Sequence, residues 1–306
     1  PSKFVKKFGV KKGDELEVEE NGSQLVIKLD ENKSKEAKEV NLENFEIMLK
    51  RILGAIYKKG YAEAKILFNN SRQLETIYST VNENQTGFEV IRQTKDFVIL
   101  KEVSKGSVDE FENILRRCFL FVLSSAKESL ELAKENNYKD LKHIALKDSL
   151  VNKYCDFCRR LLNKGYFPAE KSNSLYYIIE QIERIGDGYK EVCNYLADNN
   201  IRLNKDAIKL YKQINGLLED CYDLFYNFNF NKFEEFGAKY KELGKNFDYK
   251  GKDVKVMSYL DKARELIFDI NGAIIVYNLW LLWSKDLWIF SVLLTRLAFQ
   301  LALRAA

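Results

Sequence analysis

The chain has 306 residues, of which 46% are hydrophobic and 31% are charged. This balance is typical of a soluble globular protein, excludes intrinsic disorder and collagen-like structure, and allows two domains with a sizeable core. The net charge of +4 is too small for the whole molecule to bind nucleic acids or other polyanions by its overall charge. The single histidine, His143, excludes HExxH zinc sites and paired Glu-x-x-His di-iron sites within one chain.

The first zone, residues 1–40, combines a basic start with a hairpin pattern. The opening stretch PSKFVKKFGVKK contains no acidic residue and carries Lys3, Lys6, Lys7, Lys11 and Lys12. Two alternating runs, 15–19 and 24–29, flank the turn sequence NGS and predict a β-hairpin. The charged stretch 31–40 that follows is predicted to be a linker.

The second zone, residues 41–103, mixes helical and strand patterns. Its predicted elements are a helix over 41–60, a strand over 62–69, a helix over 71–85, and paired strands over 88–94 and 97–103. Because helices and strands alternate here, the pattern favours a small α/β domain.

The third zone, residues 104–280, has almost no strand signal. Its amphipathic stretches are 107–136, 138–164, 171–199, 204–231, 232–244 and 253–280. The chain has only two prolines, so long helices can run unbroken between polar loops. The predicted fold class is therefore mainly α, a helical domain preceded by the small α/β segment and the hairpin.

The last zone, residues 281–306, is an apolar, Trp-rich tail. Its longest uninterrupted part, 287–303, is shorter than the roughly 20 residues that a spanning helix needs, and it contains Arg296. The pattern favours a last helix docked on the core or on a partner, with an interfacial helix and a membrane span as alternatives.

Carboxylates recur at helical spacing in the third zone. The order Glu-x-x-x-Asp occurs at 183/187, 219/223 and 265/269, each on a different predicted helix among apolar residues. A weaker version, Asp148 with Asn152, lies on a fourth helix. Residues four apart share a helix face, where like charges cost roughly 0.2–0.5 kcal/mol.

A bound cation would reverse that repulsion, and carboxylate oxygens suit iron, manganese, magnesium or calcium, with zinc also compatible. The predicted ligands are Asp148, Asn152, Glu183, Asp187, Glu219, Asp223, Glu265 and Asp269. The alternative is that these side chains form solvated faces of surface helices.

Five cysteines, at 118, 155, 158, 193 and 221, lie inside helical patterns and indicate a reducing cytoplasm. Cys155 and Cys158 form a CDFC sequence, but no second CxxC follows. Buried helical thiols are therefore favoured over a zinc or redox site.

The segment IERIGD at 182–187 and the repeated Glu-x-x-x-Asp pairs resemble PhoU, the phosphate-uptake regulator, over about 107–280. The resemblance implies a cytoplasmic pair of three-helix bundles with a multinuclear metal cluster, iron or zinc above all, that acts with a phosphate transporter or a sensor kinase. Two positions depart from the family pattern. Asn152 is a neutral amide, and Gly188 stands where the family often has histidine.

The stretch PSKFVKKFGVKKGDELEVEENGSQLVIK resembles the second half of an AbrB/MazE/SpoVT swapped-hairpin DNA-binding domain. The resemblance implies a homodimer, because two halves interlock, and the first strand would precede Pro1. The five lysines would then contact DNA phosphates without reading sequence. Archaeal PhoU-like regulators with this domain in front fit the whole architecture.

The expected function is a metal-binding regulator of phosphate uptake and signalling that also binds DNA, with no small-molecule substrate. No catalytic residue is assigned, since no GxxxxGK[ST] loop occurs and no Ser/His/Asp set is possible beyond one that uses His143. The alternatives are a ferritin-like di-metal carboxylate enzyme and a metal-free, partner-binding helical bundle. A cytoplasmic location is expected, with membrane association through partners or the C-terminal helix left open.

Overall fold

The computed structural model describes residues 2–13, 16–21, 24–28, 38–104, 106–245, 247 and 254–279. Internal contacts divide the chain into two units. The first consists of Pro1–Val81 with Gly87–Ser104, and the second of Asn82–Thr86 with Lys105–Ala306.

The first unit begins with a short helix and the predicted hairpin. Helix α1 covers Ser2–Phe8, and strands β1 (Glu17–Asn21) and β2 (Gln24–Lys28) pair antiparallel, with Asn21 opposite Gln24. The pairing confirms the hairpin that the alternating runs predicted.

The rest of this unit is a four-stranded sheet with two helices. Its elements are β3 (Lys38–Asn41), α2 (Leu49–Lys58), β4 (Glu63–Leu67), α3 (Ser71–Asn84), β5 (Phe88–Gln93) and β6 (Phe97–Glu102). The strand order is β3-β4-β6-β5, with β3 parallel to β4 and the other neighbours antiparallel. Alternate residues of the central strands, such as Ile66 and Val98, are fully buried, as a half-buried strand requires.

Two predictions in this unit were wrong in detail. Lys38–Asn41, where the sequence pattern predicted a linker and the start of a helix, is a strand whose backbone pairs with β4. Helix α2 begins at Leu49 instead of residue 41, because hydrogen bonds from a side chain of α3 hold the backbone that precedes α2 in a loop. The buried Gln73 amide donates to the carbonyls of Leu42, Glu43 and Phe45 at 3.0–3.1 Å and so holds this loop.

The described residues of the second unit form helices and the loops that connect them, with no strand. Its helices are α4 (Val108–Glu135), α5 (Tyr138–Leu146), α6 (Asp148–Lys164), α7 (Ala169–Asn199), α8 (Lys205–Tyr226), α9 (Phe230–Gly244) and α10 (Val254–Asn278). Ser107 caps α4 by accepting a hydrogen bond from the Glu110 amide, and the left-handed Asn136 and Asn200 end α4 and α7. The mainly helical class with a small sheet before the helices is confirmed.

The stretch 138–164, predicted as one helix, is divided into α5 and α6 at Lys147. The amide of Lys147 bonds to the Ile144 carbonyl, and the amide of Leu150 bonds to the Lys147 carbonyl. These bonds reach back three residues instead of four, so the chain turns more tightly there. Asp148 thereby becomes the first residue of α6. Helix α8 likewise ends at Tyr226, earlier than predicted.

Helix α7 lies at the centre of the unit, in contact with α4, α5, α6 and α10, while α10 also contacts α8 and α9. The arrangement of these helices into two three-helix bundles stays a prediction. The tail 281–306 lies outside the described residues. Within the described ranges, no helix combines the length and hydropathy that crossing a bilayer requires.

A buried polar network joins α4, α7 and α8. The Tyr189 hydroxyl donates to Asn215 Oδ1 at 2.8 Å, and Asn215 Nδ2 donates to the Ala126 carbonyl at 2.6 Å. Ser129 Oγ and the Tyr211 hydroxyl are 2.7 Å apart in the same region. Burial raises the pKa of Tyr189, so this hydroxyl keeps its proton.

Candidate metal centre

The predicted ligands lie on four helices, as the spacing of four residues within each pair predicted. Asp148 and Asn152 lie on α6, Glu183 and Asp187 on α7, Glu219 and Asp223 on α8, and Glu265 and Asp269 on α10.

The start of α6 meets α7 at a cluster of Asp148, Asn152, Asp187 and Lys190, which we call the α6–α7 cluster. Asp148 is only 9% exposed, and its Oδ2 accepts from Lys190 Nζ at 2.7 Å and from Asn152 Nδ2 at 3.2 Å. Lys190 Nζ also donates to Asp187 Oδ1. One ammonium group therefore bridges carboxylates from both helices.

Two oxygens of this cluster are buried without a hydrogen-bond donor from the described residues. They are Asp148 Oδ1 and Asn152 Oδ1. A Cβ on Gly186 would lie 3.5 Å from Asp148 Oδ1, so the glycine brings the α7 backbone close to this carboxylate. An unsatisfied buried polar group costs about 1–3 kcal/mol, which a bound cation or water would offset.

The pKa of Asp148 and the pKa of Lys190 each depend on burial and on the contact between the two side chains. Burial raises the pKa of Asp148, and the hydrogen bond and charge of Lys190 oppose that rise. Burial alone would lower the pKa of Lys190, but its contacts with Asp148 and Asp187 raise it above the ordinary lysine value. The Lys190 ammonium therefore offsets part of the effect of burial on the pKa of Asp148.

Glu183 belongs to a different cluster, although it lies one turn from Asp187. Arg159 of α6 is 2% exposed, and its Nη1 lies 2.5 Å from Glu183 Oε2 and 2.8 Å from Asp156 Oδ1. Its Nη2 lies 2.8 Å from Glu180 Oε2. Burial raises the pKa of Glu183 and Arg159 opposes this, so the guanidinium already supplies the positive charge that a metal would bring.

The remaining predicted ligands are more exposed, and three of them contact basic side chains. Glu219 lies 2.7 Å from Lys127 Nζ, and Asp223 accepts from Lys232 at 2.5 Å, which lowers the pKa of Asp223. Glu265 lies 3.8 Å from an Arg264 nitrogen, and Asp269 is exposed. Across the described residues, no three His, Cys, Asp or Glu side chains are grouped closely enough to hold a metal ion.

The cysteines and the histidine do not extend this centre. All five thiols are free and buried. A hydrogen bond with Cys118 and burial raise the pKa of Cys155, which favours the thiol over the thiolate that metals and electrophiles need. His143 is exposed on α5, and its Nδ1 lies 3.5 Å from Asp140 Oδ1.

The N-terminal lysines are placed on or after α1. Lys3 and Lys6 are exposed on the helix, and Lys11 and Lys12 are exposed in the turn that follows it. The side chain of Lys7 lies outside the described residues.

The sequence analysis did not identify three residues that contact or closely approach the carboxylates of these clusters: Lys190, Arg159 and Gly186. Lys190 follows Asp187 by three positions, a spacing that places both on one helix face and is the signal by which this contact could have been predicted. Arg159 and Gly186 gave no such signal, because their roles depend on how closely α6 and α7 approach each other.

Comparison with protein-family models, with curated proteins and with solved structures finds no match to this chain. The structure itself shows a mainly helical protein with a small sheet before the helices, and a buried oxygen cluster between α6 and α7 that Lys190 partly neutralises.

Proposed function

We propose that this chain is a metal-binding regulator of phosphate uptake and phosphate signalling that also binds DNA. The observation that carries the metal part is the pair of buried oxygens, Asp148 Oδ1 and Asn152 Oδ1, that have no donor among the described residues. Carboxylate and amide oxygens donate lone pairs to hard cations, and Asp187 lies across the same cluster.

The donor set of the α6–α7 cluster fits a metal with Asp148, Asn152 and Asp187 as ligands. Iron or zinc follows from the resemblance to PhoU, and magnesium or manganese also suits oxygen donors. When bound, the metal would supply the positive charge and the coordination that fix α6 against α7.

A second metal group at Glu219, Asp223, Glu265 and Asp269 would require these side chains to move together, because among the described residues no three carboxylates are grouped closely enough to hold a metal ion. These carboxylates are exposed, and the lysine partners of Glu219 and Asp223 would have to leave first. This second group is therefore the less supported of the two proposed metal groups. Glu183 could become a ligand of the first group only if its ion pair with Arg159 were broken.

The regulatory part rests on the resemblance and on the basic N-terminal helix. A homodimer would complete the swapped-hairpin domain, the lysines would contact DNA phosphates, and the helical unit would contact a phosphate transporter or sensor kinase in the cytoplasm. Metal occupancy would couple the helical unit to those partners by fixing the contact of α6 with α7.

A metal-free, partner-binding bundle is the second candidate. The ion pairs of Lys127 and Lys232 favour it, because they neutralise two predicted ligands without any metal. The two candidates differ in metal content, which is directly measurable.

The metal proposal is tested by elemental analysis of the full chain purified without chelator. We expect at least one equivalent of iron, zinc or manganese per chain, and the loss of about one equivalent in a D148A/N152A variant, because metal ligands act together. The exposed Glu131, paired with Lys134, provides the control, so E131A should retain its metal. Equal, negligible metal in the wild type and D148A/N152A would support the metal-free bundle.

The DNA proposal is tested by the salt dependence of binding to duplex DNA. Replacing Lys3 and Lys6 by alanine is expected to weaken binding similarly for all sequences and to reduce the slope of log K against log[salt] by about 1.8, since each phosphate contact contributes about 0.9. The exposed Lys142 provides the control variant K142A. An unchanged slope in K3A/K6A would refute a DNA contact at α1.

A further inference from the structure

We propose that Lys190 is a built-in competitor for the cation of the α6–α7 cluster, so that metal binds there only when the Lys190 ammonium leaves. This inference rests on the proposed metal function and adds a means by which the site is regulated.

The geometry places the ammonium where a shared metal ion would bind. Lys190 Nζ lies 2.7 Å from Asp148 Oδ2 and also contacts Asp187 Oδ1, so it bridges the two carboxylates that a metal would bridge. A cation bound by both oxygens of Asp148 would lie within contact distance of the ammonium. The two positive charges therefore exclude each other.

Burial makes this competition strong. Asp148 is 9% exposed, and the side chain of Lys190 is 28% exposed, so solvent screens the charges of this cluster only in part. In contrast, the lysines paired with Asp220 and Asp223 are about half exposed, at 55% and 45%. Of these three lysines, Lys190 is therefore the one that is paired with a buried carboxylate, and its removal leaves that carboxylate without its ammonium partner.

The unsatisfied oxygens show that Lys190 fills the cluster only partly. It provides donors to Asp148 Oδ2 and Asp187 Oδ1, but Asp148 Oδ1 and Asn152 Oδ1 gain no donor from any described residue. A metal ion with several coordination positions could contact both of these oxygens. Rotation of the Asn152 amide would bring its oxygen beside Asp148, which is favourable only when a cation lies between them.

Two states of the α6–α7 contact follow from this competition. In the metal-free state the ammonium joins the helices, and in the metal-bound state Lys190 extends into solvent from α7. The lysine keeps the empty cluster from accumulating uncompensated negative charge, and it sets a threshold of metal concentration below which the cluster stays closed.

The test is a titration of the chelator-treated full chain with Mn²⁺, followed by the electron paramagnetic resonance signal of free Mn²⁺. In K190M and K190Q, binding is expected to tighten at least about tenfold, or roughly 1.4 kcal/mol, because the metal no longer has to displace an ammonium group from Asp148 and Asp187. K190Q keeps a hydrogen-bond donor and gives the result if K190M fails to fold.

Three controls separate the outcomes. K190R keeps the charge and should bind as the wild type does, K239M removes an exposed lysine and should also leave binding unchanged, and D148N/K190Q should lose the gain. Wild-type binding that D148N abolishes but K190Q does not tighten would overturn the competition and leave the metal function standing. Absence of Mn²⁺ binding in every variant, K190Q included, would overturn both.

Discussion

Replacing Arg159 by methionine is expected to destabilise the helical unit by about 3–5 kcal/mol, the range for removing one partner of a buried ion pair. Arg159 is 2% exposed and lies between Asp156, Glu180 and Glu183. Without the guanidinium, Glu183 remains partly buried with no positive charge beside it. Equilibrium urea unfolding, followed by circular dichroism, measures the change.

The neighbouring Arg184 provides the matched control, because it is exposed on α7 and its Nη1 donates to Gln181 Oε1 over a long distance, 3.4 Å. R184M should therefore change stability by less than about 0.5 kcal/mol, as is usual for exposed positions. Adding E183Q to R159M should restore part of the loss, since the uncompensated charge is removed. An R159M variant as stable as R184M would contradict the role given to this cluster.

Replacing Asn215 by leucine is the second change with a large expected effect. The amide accepts from the Tyr189 hydroxyl and donates to the Ala126 carbonyl. Leucine therefore leaves the buried Tyr189 hydroxyl without this acceptor, and it removes one of the donors to the Ala126 carbonyl, which still accepts from Ser129 Oγ at 3.1 Å. The orphaned hydroxyl costs about 1–3 kcal/mol, and the lost amide–carbonyl hydrogen bond adds to this cost at the junction of α4, α7 and α8. The midpoint of urea unfolding should fall accordingly.

A double-mutant cycle separates the hydrogen bonds from packing. Y189F removes the orphaned hydroxyl, so N215L/Y189F should be more stable than the sum of the two single changes predicts. N113L, at an exposed position on α4, is the control for adding leucine. Strict additivity of N215L and Y189F would show that the two side chains do not share a hydrogen bond.

Local patterns predicted much of the fold. Alternation and the NGS turn predicted β1 and β2, and apolar periodicity predicted α3, α4 and α7 to within a few residues. Each of these elements is determined by its own sequence, through side-chain alternation or one apolar face.

The errors occurred where distant residues decide the local structure. β3 is a strand because β4 pairs with it, and α2 begins late because Gln73, from α3, holds the preceding loop. The break at Lys147 lies in a stretch whose periodicity continues across it. A pattern within one segment carries no information about a partner 30 residues away.

The candidate site divides in the same way. The spacing of Glu183 with Asp187 predicted that two carboxylates share a face of α7, and α7 is a helix there. The ion pair of Glu183 with Arg159 could not be predicted from this spacing, because Arg159 lies on another helix. The sequence therefore indicated where negative charge is concentrated but not that Glu183 and Asp187 would have different partners.

An anomalous difference map from crystals of the full chain soaked in Mn²⁺ tests the central claim most directly. A peak is expected about 2.0–2.6 Å from oxygens of Asp148 and Asn152, the range of hard cations bound to oxygen, with Lys190 displaced. Lys190 bridging Asp148 and Asp187, with no anomalous peak in the cluster, would contradict a metal centre at the contact of α6 with α7.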